Sequence, residues 1–114
     1  MSSGRVLVVE DNEAIRESLT EVLRTAGYRA DGVTNGEDAV HEFAKGDVVL
    51  LVLDVGLDFL GLKLLDALPK KPPVILMSGH PERRRRPGTP PFLSKPFPPV
   101  RLLEEVARQL GSPN

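Results

Sequence analysis

Apolar residues in this chain come in blocks separated by polar turns. Residues 5–10, Arg-Val-Leu-Val-Val-Glu, form a nearly continuous β-branched run, the pattern of a strand buried on both faces. Over 13–26, Ile15, Leu19, Val22, Leu23 and Ala26 recur at helical spacing, with Asn12 as N-cap and Gly27 as the stop. Tyr28–Val33 reads as a second strand. Thr34-Asn35-Gly36 then turns into a helix with Ala39, Val40 and Phe43 inward, ending at Gly46. Val48–Leu53 is the most hydrophobic strand and stops at Asp54, and a short helix is predicted over 62–68, closed by Pro69. Pro73–Met77 and Pro91–Ser94 read as two further strands. Pro98-Pro99 opens a last helix with Val100, Leu103, Val106, Ala107 and Leu110 inward, closed by Gly111.

Strand and helix alternate throughout, which predicts a parallel sheet with right-handed crossovers and helices on both faces. Ligands of such sheets bind at the carboxyl ends of the strands. The residues there are Glu10 and Asp11 after the first strand, Asp54 after the third, Ser78 after the fourth and Lys95 after the fifth. Three carboxylates gathered at one edge repel, by roughly 4 kcal/mol per pair at ~4 Å and an effective dielectric near 20. A hard divalent cation with oxygen ligands, Mg²⁺ above all, relieves that repulsion. Each residue has an ordinary alternative: acids favour a first helical turn, aspartate forms turns, serine caps helices, and most lysines are simply exposed. Their coincidence at one edge favours a shared site.

Composition narrows the class. The 114 residues make one domain, 1–114 with its core in 5–110, and 40% apolar with 27% charged residues is ordinary for a globular protein. The absence of cysteine excludes a disulfide framework, a thiolate zinc site and a cysteine nucleophile. No apolar run approaches the roughly 20 residues of a membrane span, and the N-terminus does not resemble a signal peptide. A cytoplasmic protein is expected, with no membrane contact and no output domain visible. Residues 1–68 carry 13 acids and 6 bases, whereas residues 69–114 carry 3 acids and 9 bases and all eleven prolines. The two parts are expected to complement each other within one fold. Arg83–Arg86 reads as a solvated loop, with no aromatic residues interleaved, so no nucleic-acid binding is expected. His41 reads as helix surface and His80 as a solvent-facing residue near the site rim.

The segments "VVEDN", "LLVLD", "ILMSG" and "FLSKPF", in that order at four strand ends, resemble the response-regulator receiver domains of two-component signalling. The resemblance covers about residues 5–110 and implies the CheY-like, flavodoxin-like (βα)5 fold, a doubly wound five-stranded parallel sheet of order 2-1-3-4-5. It implies that Asp54 accepts a phosphoryl group from a histidine kinase or histidine phosphotransfer protein. It further implies Mg²⁺ or Mn²⁺ held by Asp11, Glu10, Asp54 and the carbonyl of Gly56. Ser78 and Lys95 would bind the phosphoryl oxygens, Phe92 would be the switch aromatic, and Lys95–Pro96 a cis bond. The chain would be a switch acting on an output partner, not a turnover enzyme.

Two features depart from the family pattern. The loop "VGLDFLG" after Asp54 is one residue short before its glycine, and 13 residues, four of them proline, separate Ser78 from Phe92. The fourth helix is therefore expected to be short or irregular. A haloacid-dehalogenase-type phosphatase would need a second aspartate where Gly56 stands. A flavin-binding protein would need donors where Glu10 and Asp11 would repel phosphate. A receiver-shaped interaction module that does not use phosphorylation is the remaining alternative.

Overall fold

The structure, a computed structural model, describes residues 4–54, 63, 72–78 and 91–111. Five strands form one parallel sheet: β1 (Arg5–Val9), β2 (Arg29–Val33), β3 (Val48–Asp54), β4 (Val74–Ser78) and β5 (Phe92–Ser94), in the order β2-β1-β3-β4-β5. Three helices are described: α1 (Glu13–Thr25), α2 (Gly36–Phe43) and the C-terminal α3 (Pro99–Leu110). The expected sheet order is the observed one. The predicted helix over 62–68 and the segment 80–88 lie outside the described residues except for Lys63, whose backbone is helical.

Central strands bury both faces, and the two-residue period of a strand sorts their side chains into two cores. Val6, Val8, Leu50, Val52, Ile75, Met77 and Leu93 meet Leu19 and Leu23 of α1 and Leu102 and Val106 of α3. On the other face Leu7, Val9, Leu51 and Leu53 meet Ala39 and Val40 of α2. The helices begin where expected because their caps are chemical: Asn12 Oδ1 accepts from Ile15 N–H (2.9 Å) and Asn35 Oδ1 from Asp38 N–H (2.8 Å). Gly27 and Gly46 take positive φ just after α1 and α2, the conformation glycine tolerates without strain.

Two helix faces differ from expectation. In α3 Leu102 is fully buried and Glu105 nearly so, while Val100 is 55% exposed and Ala107 faces solvent. Leu103, Val106 and Leu110 pack against the core as expected, but the face is centred on 102 and 106, which turns 100 and 107 outward. In α1 Ile15 stays 37% exposed, whereas Thr20 is buried because its hydroxyl donates to the Arg16 carbonyl (2.7 Å).

Asn12→Ala should cost about 1 kcal/mol, the usual worth of an N-cap. A urea titration should show a lower midpoint with an unchanged slope; an unchanged midpoint would mean that the cap contributes nothing.

Candidate functional site

Strand register decides which side chains share the carboxyl edge. Val9 lies opposite Leu53, Asp54 opposite Met77, and Ser78 opposite Ser94. Glu10, Asp54, Ser78 and Lys95, which end or follow these strands, therefore form a row across four neighbouring strands. Main-chain bonds pin the row: Glu10 N–H donates to the Val33 carbonyl (3.0 Å) and Lys95 N–H to the Ser78 carbonyl (2.7 Å).

Glu10, Asp11 and Asp54 each offer one carboxylate oxygen, and these three atoms lie within 4.8 Å of one another. Glu10 is buried, Asp54 partly buried and Asp11 exposed, so the group opens to solvent on the Asp11 side. Lys95 starts two strands from Asp54, about 10 Å away at ordinary strand spacing. Its side chain crosses back, so that Nζ reaches Glu10 Oε1 at 2.5 Å and Asp54 Oδ2 at 3.3 Å. Burial pushes the Glu10 carboxyl above its ordinary value, against the pull of Lys95 and of the Asn12 N–H. For Lys95 burial acts downward, but the Glu10 and Asp54 carboxylates outweigh it and hold the ammonium above its ordinary value. Lys95 is thus a resident cation among three acids.

The donor set fits a hard divalent ion. It is all oxygen, and two oxygens on one Mg²⁺ stand about 3–4 Å apart, a spacing the cluster, with its three oxygens within 4.8 Å of one another, can reach. One ammonium against three carboxylates also leaves the cluster short of positive charge. Among the described residues this is the one grouping of acids with metal-binding spacing.

Of the other expected site residues, Ser78 ends β4 with 2% exposure and Phe92 opens β5 opposite Leu76, partly buried. The Lys95–Pro96 peptide bond is cis, as expected. Gly56, His80 and Arg83–Arg86 lie outside the described residues.

Sequence reasoning missed two contributors. Asn12, expected only as a cap, also donates its main-chain N–H to Glu10 Oε2 (3.1 Å). The signal was available, since first-turn N–H groups need acceptors and an acid stands two residues upstream. Nothing in the helical pattern singles out Arg16, yet its Nη1 donates to the Glu10 carbonyl (3.1 Å).

Residues 6–107 match the response regulator receiver domain. The chain is 34% identical over 116 residues to the transcriptional regulatory protein HprR of Escherichia coli K12, covering 93% of this chain but 51% of HprR. It therefore spans about half the length of that relative. It is 33% identical to protein Rrf1 of Nitratidesulfovibrio vulgaris, covering 96% of this chain and 84% of Rrf1. The response regulator TrrA of Thermotoga maritima, solved in complex with Mg²⁺ and BeF, superposes with a TM-score of 0.80 at 31% identity, over 94% of this chain and 99% of that one.

Proposed function

This chain belongs to the response regulator receiver domains, which switch by phosphorylation, and from that premise we propose that Asp54 is the phosphoryl acceptor and Glu10, Asp11 and Asp54 hold a Mg²⁺ ion. The observation that carries the reading is the convergence of three carboxylates and Lys95 Nζ at one sheet edge. Mn²⁺ satisfies the same donors. In this reading Asp11 is a direct ligand, Glu10 acts through water, and the Gly56 carbonyl is a further ligand.

Phosphoryl transfer asks a protein mainly for position and for charge neutralisation. An Asp54 carboxylate oxygen attacks the phosphorus of a phosphohistidine on a histidine kinase or phosphotransfer protein. The new O–P bond makes an acyl phosphate; the P–N bond breaks, its electron pair returns to the imidazole, and the ring takes up a proton. A bound divalent ion supplies Lewis-acid neutralisation of the phosphoryl oxygens. Lys95 Nζ, already beside Asp54, follows the added negative charge. The Ser78 hydroxyl donates to a phosphoryl oxygen, and Phe92 of the neighbouring strand moves with it, biasing a two-state equilibrium that an output partner reads. Water slowly cleaves the acyl phosphate and restores Asp54, so the chain acts as a switch rather than a turnover enzyme.

Acetyl phosphate with Mg²⁺ should add a single phosphoryl group, an intact-mass gain of ~80 Da, lost when a chelator removes the metal. No gain from acetyl phosphate or from any phosphorylated kinase would favour the interaction-module reading. Among the described residues no helix is long and apolar enough to cross a membrane. We place the protein in the cytoplasm, where histidine kinases present their phosphohistidine.

A further inference from the structure

Glu10 is 1% exposed, and every polar atom it carries is held. Its N–H donates to the Val33 carbonyl, its Oε1 takes Lys95 Nζ, and its Oε2 takes the Asn12 N–H. The fourth atom, the main-chain carbonyl, takes Arg16 Nη1 at 3.1 Å. That carbonyl belongs to the peptide joining Glu10 to Asp11. Its orientation therefore sets the direction in which both acidic side chains leave the backbone.

Arg16 reaches this carbonyl from α1 by laying its stem over Gly32 of β2. A Cβ built at Gly32 would stand 2.6 Å from Arg16 Cγ, 3.0 Å from Cδ and 3.1 Å from Thr20 Oγ1. Any side chain at position 32 must therefore push the arginine stem aside near its root, where a small rotation displaces the guanidinium most. The absence of a Cβ at 32 and the bond to Glu10 are two ends of one arrangement.

We propose that Arg16 is a positioning residue for cation uptake: it clamps the Glu10–Asp11 peptide so that both carboxylates face Asp54, and Gly32 is the space that admits it. This rests on the reading of the acidic cluster as a divalent-cation site. The sign of the effect separates clamping from plain electrostatics. A guanidinium near the cluster repels a cation, so by charge alone its removal would tighten binding. If it clamps, removal loosens binding, because residues that orient metal ligands carry much of the affinity.

The test is calorimetric titration of Mg²⁺ alone into the full chain and four variants, with thermal melts in chelator on the same samples. Arg16→Met keeps the stem but removes donor and charge, and should bind Mg²⁺ about tenfold more weakly at nearly unchanged melting temperature. Arg16→Lys retains a donor and should recover most of the affinity. Gly32→Ala, whose added methyl meets Arg16 and Thr20 first, should weaken binding as well, and the double variant with Arg16→Met should be no weaker than Arg16→Met alone. Equal or tighter binding by Arg16→Met, or wild-type affinity in Gly32→Ala, would overturn the proposal while leaving the metal site standing. A wild-type chain that takes up no Mg²⁺ would overturn the metal site and the clamp together.

Discussion

Asp54→Asn should gain no mass under conditions in which the wild-type chain gains one phosphoryl group. The exchange is nearly isosteric, and Asp54 sits at the end of β3 in a register set by main-chain bonds to β1 and β4, so the fold should persist. What disappears is the nucleophile, since an amide oxygen or nitrogen does not attack phosphorus at neutral pH. One of the three clustered oxygens also loses its charge, while Lys95 keeps its bond to Glu10. Labelling should therefore fall to background, not merely slow. Circular dichroism establishes that the variant is folded, and intact mass reads the outcome. A residual gain in Asp54→Asn would move the acceptor to another acid, with Asp11 the exposed candidate.

Arg5→Met should be the most damaging substitution away from that edge. Arg5 opens β1 at 5% exposure and is bonded to Asp47 through Nε and Nη2, and to Asp31 and Glu42 through Nη1. Arg24, Arg29 and Lys45 add pairs at the rim. Most surface ion pairs contribute little, but here one nearly buried cation ties β1 to β2, to α2 and to the turn before β3. Methionine replaces the stem and leaves three carboxylates facing one another. Breaking a buried pair costs about 3–5 kcal/mol, and the partial exposure of the three acids places the expected loss near the lower bound, about 3 kcal/mol. For a domain of this size that is a fall in Tm on the order of 10 °C. A fall of only a degree or two would reduce the network to surface decoration.

The same network fixes a pH dependence. Arg5 above all, with Lys45, holds the Glu42 carboxyl below its ordinary value, and Arg5 with Arg29 does so for Asp47. Groups depressed in the folded state contribute stability above their unfolded pKa and lose it as pH falls through the folded one. The network's contribution to stability should thus hold above about pH 5 and decline below ~4, and that decline should flatten in Arg5→Met.

Much of this was legible in the chain because parallel strands speak through continuous apolar runs. Val6–Val9 and Leu50–Leu53 could be read as buried on both faces, and the parallel order then delivered Glu10, Asp54, Ser78 and Lys95 to a common edge. Asn12 and Asn35 announced their helices by side-chain chemistry alone. The inward face of α3 was legible in Leu103, Val106 and Leu110, which pack on the core, but not in the exposure of Val100 and Ala107 or the full burial of Leu102, which the sheet decides. The Arg5 network was invisible for a different reason. Its partners lie 26 to 42 residues away, so no local pattern marks a buried arginine at the head of a hydrophobic strand. The Arg16 contact escaped likewise, being a bond to a main-chain atom through a space left by a missing Cβ.

The site of modification itself offers the most direct test. Wild-type protein treated with acetyl phosphate and Mg²⁺ is reduced with borohydride, which converts an aspartyl phosphate to homoserine, and its peptides are then sequenced by mass spectrometry. Homoserine should stand at position 54 alone and vanish when Mg²⁺ is withheld. Homoserine at another acid, or its appearance at 54 regardless of the metal, would contradict a phosphoryl acceptor built from Asp54, its neighbouring carboxylates and Lys95.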